Sequence, residues 1–299
     1  KIISRKASYH GALGLTTWLG GPVSGATRSD YGPEYPGMIY VPQPNPYRCE
    51  FGGQTPSECA ELCAKAVEDA ILFHGPQAVA AMIAEPVSVP ASVAVPGDEY
   101  WPMLREICDR YGVMLIADEV ITGFGRTGKM FACDHESVVP DLMAVSKGLT
   151  GGYMPLAATL TTQRIYDGFL GRYQDFKTFF HGHSYTGNPL GCAVALANLK
   201  LFKRTRLLAR LPEKIRAFQA ALRTLKSLAH VGQVRQLGLM VGIELVRNKR
   251  TKEPYCLEDR IGHQVTMEAR HRGLIIRPIG NMVVLMPPLT ATLTELKVM

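Results

Sequence analysis

Residues 140–162 read PDLMAVSKGLTGGYMPLAATLTT, and they carry the clearest indication of the fold class. Its apolar run at 142–145 has the length of a buried strand, and Lys147 follows that run almost at once. A Gly-Gly turn and a second apolar run at 155–160 come next. Strands of a sheet that is covered on both faces are continuously apolar rather than alternating. The stretch therefore predicts two strands of such a sheet, with a lysine between them.

The same pattern occurs upstream. Residues 79–84 and 113–117 are short apolar runs, and residues 98–111 between them have helical spacing. Asp118 follows the second run directly. The alternation of short buried strands with helices predicts a mostly parallel sheet and an α/β fold. Because ligands in such sheets bind at the carboxyl ends of the strands, Asp118 and Lys147 are candidate site residues.

The second half of the chain changes character. Helices are predicted at 188–204, 212–228 and 258–272, and strands at 241–246, 274–277 and 282–286. We therefore predict a large domain over residues 1–205 and a smaller C-terminal α+β domain over residues 206–299. Residue 1 already falls in a strand and the last residues resemble the start of a helix, so we expect the N-terminal part of the large domain and the final helix to be missing.

Composition excludes several classes of protein. The chain has 299 residues, is 46% hydrophobic and 20% charged, and has a net charge of +7, which is typical of a globular domain. Its basic residues are scattered, whereas a nucleic-acid surface needs a basic stripe with aromatics. No apolar run reaches the roughly 18 residues that cross a bilayer. The seven cysteines lack paired C-x-x-C spacing, so we expect a soluble cytoplasmic protein with reduced thiols and neither nucleic-acid nor membrane partners.

Taken singly, the candidate residues leave alternatives open. Lys147 has small and apolar neighbours, which suits a lysine in a desolvated pocket, although most lysines are solvated surface residues. Burial would lower its pKa and make it nucleophilic, as Schiff-base chemistry requires. Asp118 is either a helix cap or surface ion-pair partner, or a counter-ion that holds a ligand cation.

Two further groups are candidates for ligand binding. Residues 181–189, HGHSYTGNP, are polar and precede a helix, which is typical of a phosphate site. His181 and His183 could instead bind a metal, but no third ligand has suitable spacing, and we predict no metal. Tyr9 and His10, in Tyr-His-Gly, either pack in the core or provide an aromatic ring that stacks on a flat ligand.

In combination, these residues resemble the class III (ω-type) aminotransferases, which are fold type I enzymes that use pyridoxal 5′-phosphate. The DEV-x-TGFGRTG and SKG-x-TGGY-x-P blocks are the most specific, and the resemblance covers nearly the whole chain. The matching segments are SYHG (8–11), LIADEVITGFGRTGKMFACDHE (115–136), PDLMAVSKGLTGGYMPLAATLTT (140–162), KTFFHGHSYTGNPLGCAVALANL (177–199), QLGLMVGIELVRNKRTKEPY (236–255) and IIRPIGNMVVLMPPL (275–289). Family members are longer and carry a phosphate-binding turn upstream of the first strand found here, so we expect either a fragment of such a protein or a longer protein whose unobserved parts have been left out.

The resemblance implies a role for each matching residue. Lys147 would bind the cofactor's aldehyde covalently and then carry a proton between the substrate's Cα and the cofactor's C4′. Asp118 would pair with the pyridinium nitrogen and keep it protonated. Val120 and Tyr9 would pack on the two faces of the ring.

Other matching residues would complete the site. His10 would lie near the cofactor, Glu85 near the cofactor or an arginine, and Thr186 would reach the cofactor phosphate across the interface of a homodimer. Arg277 would pair with a substrate carboxylate, for which a planar guanidinium is suited. Arg126 would be either a structural residue or a second substrate contact.

The implied function is a transaminase that moves an amino group from an amine or ω-amino acid to a 2-oxo acid or other carbonyl by a ping-pong mechanism. The second half is most similar to the branch that makes 7,8-diaminononanoate for biotin synthesis. The first half departs from that branch at 12–13 and at 85–97, so diaminononanoate synthesis is the alternative. Two others remain: an aminomutase or decarboxylase-like relative, and a truncated non-catalytic homologue that acts as a dimerisation or binding module.

Overall fold

The structure, a computed structural model, describes residues 1–21 and 32–299. The strands are β1 (Ile2–Arg5), β2 (Met38–Val41), β3 (Ala81–Ala84), β4 (Met114–Asp118), β5 (Leu142–Val145), β6 (Ala158–Thr161), β7 (Val231–Leu237), β8 (Met240–Asn248), β9 (Glu253–Pro254), β10 (Arg277–Ile279) and β11 (Met282–Leu285). The helices are α1 (Leu15–Leu19), α2 (Pro56–His74), α3 (Tyr100–Tyr111), α4 (Gln163–Asp167), α5 (Pro189–Arg204), α6 (Leu207–Ala221), α7 (Ile261–His271) and α8 (Leu293–Val298). In the two described ranges, no helix is long and apolar enough to cross a membrane.

The first sheet has the strand order β2-β1-β3-β4-β5-β6, and its first five strands are parallel. The predicted α/β class with a mostly parallel sheet is confirmed. β6, however, runs antiparallel to β5. The connection between these two strands contains a short 3-10 turn and no α-helix. Since a parallel neighbour needs a longer crossover, usually a helix, the short connection leads β6 back in the opposite direction.

Two helices cover one face of this sheet and form the main core with it. α2 begins with a capping box, in which the Thr55 hydroxyl accepts from the Glu58 N–H and the Glu58 carboxylate accepts from the Thr55 N–H. Its buried stripe includes Val67 and Ile71, which pack in the same cluster as Leu104 of α3. Burial of each such side chain stabilises the fold by roughly 1.5–3 kcal/mol, so this layer fixes the positions of the strand ends.

The second sheet is antiparallel, with the order β10-β11-β8-β7, and β9 pairs with β8. Two sequence predictions about its surroundings are wrong in detail, and one strand was not predicted. The helix predicted at 212–228 is α6, which begins at Leu207 and contains Pro212 in its interior. The strand predicted at 274–277 begins only at Arg277, because the Leu274 N–H still donates to the Ala269 carbonyl at the end of α7. β7 was missed, because its apolar residues recur at every third position and not in the alternation typical of a strand.

A methionine-rich cluster joins the loop after β3 to the second sheet. Val87 and Val93 follow β3, and they pack against Met240, Met282 and Val284 of the second sheet. The loop after β3 therefore shares buried apolar surface with the second sheet. The division into domains at residues 205 and 206 stays a prediction.

Glu136, which follows a 3-10 turn at 132–135, has a carboxylate that contacts the start of α3. Its Oε2 accepts from the Trp101 N–H at 3.3 Å. Burial raises its pKa to about 7, and the nearby Asp98 and Glu99 add to this effect. Because the pKa is raised in the folded state, the stability that Glu136 contributes is present below its unfolded pKa of about 4.3 and is lost as the pH rises through 7.

We therefore predict that Glu136→Gln makes stability less dependent on pH. As the pH rises from 5 to 8, the unfolding free energy of the variant should increase by on the order of 1 kcal/mol relative to that of the parent chain. The expected difference is kept this small because Glu136 is half-exposed and solvent screens its charge. Urea denaturation at the two pH values measures this difference. An identical pH dependence for both proteins would contradict it.

Candidate active site

A cavity of about 220 Å³ lies at the carboxyl edge of the first sheet. Tyr9 and His10 follow β1, Glu85 follows β3, Asp118 ends β4 and Lys147 follows β5. Since these strands are parallel, their carboxyl ends meet at one edge. The lining residues are Tyr9, His10, Gly11, Glu85, Val87, Asp118, Val120, Ile121, Thr122 and Lys147. Six of the nine predicted site residues are thus brought together.

Asp118 is held by two donors and is only 8% exposed. Its Oδ1 accepts from the Val120 N–H at 3.0 Å, and its Oδ2 lies 2.8 Å from Nδ1 of His10. A carboxylate can only accept, so Nδ1 of His10 carries the proton in this pair. Nε2 of His10 is buried and has no hydrogen-bond partner within residues 1–21 and 32–299. The carboxylate is therefore fixed in orientation and faces the cavity.

Lys147 has a strained backbone and a perturbed amine. Its φ of 42° is in the left-handed region, which costs a non-glycine residue on the order of 1 kcal/mol and is common at functional sites. Desolvation lowers its pKa, although the carboxylates of Asp118 and Glu85 act in the opposite direction. The next residue must be glycine, because a Cβ on Gly148 would lie 2.8 Å from Cβ of Phe124. The turn thus presents an amine that loses its proton more readily than an ordinary lysine.

Glu85 connects the cavity to a residue that the sequence reasoning missed. Its Oε1 accepts from the Tyr9 N–H at 3.1 Å, and its Oε2 accepts from Nη2 of Arg5 at 3.0 Å. Arg5 is the last residue of β1 and is completely buried. The sequence signal that could have identified Arg5 is its position as a cation at the end of a largely apolar strand, Ile-Ile-Ser-Arg.

Glu119 was also missed, although it stands beside Asp118. It is completely buried, and burial raises its pKa. Its carboxylate accepts from the Thr122 hydroxyl and from the Cys133 N–H at 2.8 Å. It therefore ties the end of β4 to the loop that follows. Thr122 also lines the cavity.

The three remaining predicted residues do not line this cavity. Thr186 is exposed before α5, where its hydroxyl accepts from the His183 N–H at 3.0 Å. Arg277 is exposed at the start of β10. Arg126 donates to the Pro287 carbonyl at 2.6 Å, and burial lowers its pKa. This contact joins the loop after β4 to the end of the second sheet, which is compatible with a structural role for Arg126. The roles of Thr186, Arg277 and Arg126 remain predictions.

Metal binding was the alternative for His181 and His183. Across the described ranges, no group of three or more His, Cys, Asp or Glu side chains is arranged to hold a metal ion. His183 instead accepts from the Tyr185 N–H through its Nδ1 at 3.2 Å.

Comparison with known proteins assigns the family. The model of the family described as aminotransferase class-III matches residues 1–299. The chain belongs to the class III aminotransferases. The cofactor of this family is pyridoxal 5′-phosphate, and the predicted family is confirmed. The lysine and aspartate predicted from the DEV and SKG blocks both lie in the cavity described above.

The relatives of this chain include two kinds of class III aminotransferase. The adenosylmethionine-8-amino-7-oxononanoate aminotransferase of Geobacter sulfurreducens is 47% identical over 99% of this chain and 65% of its own length. The γ-aminobutyrate transaminase 2 of Solanum lycopersicum is 35% identical over 99% of this chain and 64% of its own. The chain therefore spans about two thirds of each of these two relatives. The resemblance to the diaminononanoate branch is confirmed at the level of sequence.

Solved class III structures share the fold. The PLP-bound amine transaminase from an uncultivated Pseudomonas species is 38% identical, with a TM-score of 0.94 over 100% of this chain and 67% of that protein. The predicted fold type I architecture is confirmed.

Proposed function

We propose that this chain carries the catalytic residues of a transaminase that moves an amino group from an amine or ω-amino acid to a 2-oxo acid or another carbonyl compound. One observation carries the proposal: Lys147, with its lowered pKa, and the fixed carboxylate of Asp118 face the same cavity. An amine nucleophile and a counter-ion for a ring cation are the two groups that pyridoxal-phosphate chemistry requires.

The cavity fits the cofactor of the family in size and chemistry. A cavity of about 150 Å³ holds benzene, so about 220 Å³ accommodates a substituted six-membered ring. Tyr9 and Val120 offer an aromatic and an aliphatic surface to such a ring, and Asp118 offers a carboxylate to a protonated ring nitrogen. The cofactor, when bound, supplies the electron sink that stabilises negative charge at the substrate's Cα.

Lys147, Asp118 and His10 would have different roles in the reaction. Lys147 Nζ would bind the cofactor's aldehyde and, once released by the incoming amine, would move the proton at Cα. Its lowered pKa raises the fraction of neutral amine at physiological pH. Asp118 would stabilise the charged ring nitrogen, and His10 would keep the Asp118 carboxylate in place through Nδ1. Because the donor and the acceptor would react in turn at the same site, the reaction would be ping-pong.

A homodimer would supply the phosphate contact. Thr186 is exposed and outside the cavity lining, which is compatible with a role in the neighbouring subunit's site. Tyr173, Phe176, Phe180 and Tyr185 are 70–91% exposed in the same stretch of chain. Apolar surface of this kind is typical of interaction sites.

We predict a dimer by sedimentation equilibrium, and dissociation to monomers in Phe180→Asp, which places a charge in the exposed aromatic stretch. Thr186→Ala should remain dimeric but bind pyridoxal phosphate about tenfold more weakly, because a hydrogen bond to a charged phosphate is lost. Fluorescence titration with the cofactor measures this affinity. A monomeric parent chain, or unchanged affinity in Thr186→Ala, would count against the shared site.

A second substrate pair is favoured by the relative that is 47% identical. Adenosylmethionine would then be the donor and 8-amino-7-oxononanoate the acceptor, giving 7,8-diaminononanoate. The other support for this pair is the likeness of the second half of the chain to that branch. The choice between the two substrate sets depends on residues that contact the substrate beyond the ring.

The visible spectrum of the purified protein with pyridoxal phosphate tests the proposed function. We expect a band from cofactor bound to Lys147, bleaching of this band by an active donor, and its return when a 2-oxo acid is added. Donors would include short ω-amino acids, amines and adenosylmethionine. A band that no donor bleaches would contradict the transaminase, and the absence of any band would favour the non-catalytic dimerisation or binding module.

A further inference from the structure

Arg5 is a buried cation directly behind the cavity. Its side chain is 0% exposed, and its Nη2 donates to both the carboxylate and the backbone carbonyl of Glu85. Nε and Nη1 of Arg5 have no hydrogen-bond partner within the part of the chain that is described. A guanidinium removed from water is costly unless it is paired. Glu85 is therefore the group that makes the burial of Arg5 tolerable.

The carboxylate of Glu85 faces in two directions. Oε2 meets Arg5 on the inner side, and Oε1 accepts from the Tyr9 N–H at 3.1 Å on the wall of the cavity. The Ser88 hydroxyl lies 3.5 Å from the same Oε1 and donates to the Ala7 carbonyl at 2.8 Å. Glu85 also lines the cavity together with Lys147. One carboxylate thus fixes the Tyr9 segment and lies within electrostatic reach of the reactive amine.

We propose that Arg5 is a positioning residue for Lys147: it holds the carboxylate of Glu85 against the Tyr9 segment and neutralises its charge. A nearby anion favours the protonated form of a lysine. Without the guanidinium behind it, Glu85 would act on Lys147 with its full negative charge and keep the amine protonated. The inference rests on the proposed function only in that a transaminase needs Lys147 as a neutral amine.

The ionisable groups around Lys147 come from three elements. Glu85 faces it from the end of β3, Asp118 from the end of β4, and Tyr9 and His10 from the segment after β1. Of these, Glu85 is paired with a buried arginine. Arg5 therefore changes the environment of Lys147 through one identified group, which can be removed separately.

The test measures the pKa of Lys147 without cofactor or substrate. Competitive acetylation with acetic anhydride across a pH series, followed by mass spectrometry of the peptide that contains residue 147, gives the titration midpoint of this single lysine. Arg5→Gln should raise the midpoint by about one pH unit. Glu85→Gln should lower it, because an anion is lost. A purely structural role for the pair would not move the two variants in opposite directions.

Arg235→Gln is the matched control. Arg235 forms a buried ion pair with Glu244 in the second sheet, with side chains 5% and 8% exposed, so its replacement likewise removes a buried cation. This variant should leave the midpoint of Lys147 unchanged. A midpoint that falls or stays unchanged in Arg5→Gln, or one that rises as much in Arg235→Gln, overturns the proposal.

A double variant covers the case in which Arg5→Gln fails to fold. Arg5→Gln/Glu85→Gln leaves no buried charge unpaired, and its midpoint should differ from that of Glu85→Gln by less than half a pH unit, because Arg5 acts through Glu85. A full one-unit difference between these two variants would refute that route. Because the labelling needs no cofactor, its outcome is independent of the donor-dependent spectrum that tests the proposed function.

Discussion

Lys147→Ala should abolish transamination, with a loss of at least about 10⁴-fold in the rate of the donor half-reaction. The variant loses both the amine that binds the aldehyde and the base that moves the proton, and no second lysine lines the described cavity. Stopped-flow measurement of the donor-dependent spectral change gives this rate. Borohydride reduction followed by mass spectrometry should find cofactor attached to the peptide containing residue 147 in the parent chain and no attachment in the variant.

Folding should be almost unaffected by this change. Desolvation already disfavours the charged form of Lys147, so an uncharged residue is tolerated, and we expect the Tm to change by no more than about 2 °C. Lys129 is an exposed lysine in the turn region that follows β4. Lys129→Ala is therefore the matched control and should keep the parent rate. Covalent attachment of the cofactor at a different lysine in both proteins would refute the role of Lys147.

Asp118→Asn is the second large change. Asparagine can still accept from the Val120 N–H, so the turn at the end of β4 should persist. It cannot supply a negative charge to a ring cation, however, and the expected cost is about 10²–10³-fold in the donor half-reaction. The rate is measured as for Lys147→Ala, and Asp109→Asn, an exposed carboxylate on α3, should keep the parent rate.

A modified cofactor separates charge from shape in this variant. A pyridoxal phosphate analogue methylated on the ring nitrogen carries a permanent positive charge and needs no carboxylate to keep it. If Asp118 acts by keeping the nitrogen charged, the analogue should narrow the difference between Asp118→Asn and the parent chain to about tenfold or less. An equal loss with both cofactors would show that Asp118 acts in some other way.

The segment after β1 contacts two carboxylates of the cavity through Tyr9 and His10. We therefore expect mutations in this segment to affect the cavity as much as mutations in the DEV and SKG blocks. The Tyr9 N–H and the Glu85 carboxylate are 76 residues apart in sequence, and His10 and Asp118 are 108 residues apart. In each pair, a short polar segment after one strand supports a carboxylate from another strand. Both pairs depend on the strand order β1-β3-β4 in the first sheet.

The class of the fold, the family and the positions of Asp118 and Lys147 at strand ends followed from the sequence alone. Short apolar runs that end in a charged side chain are local signals, because burial on both faces of a parallel sheet requires continuous apolar residues. Asp118 and Lys147 could therefore be located at strand ends without knowledge of the strand order. The DEV and SKG blocks then indicated pyridoxal-phosphate chemistry at these strand ends.

The surroundings of Asp118 and Lys147 depend on contacts between segments that are distant in sequence. The pairing of Arg5 with Glu85, the contact of His10 with Asp118 and the left-handed backbone at Lys147 join or constrain segments that no local pattern connects. The antiparallel direction of β6 likewise followed from a connection too short for a crossover. The physical reason is that hydrophobic periodicity reports which face of a segment is buried, whereas the partner across a sheet is selected by the packing of the whole domain.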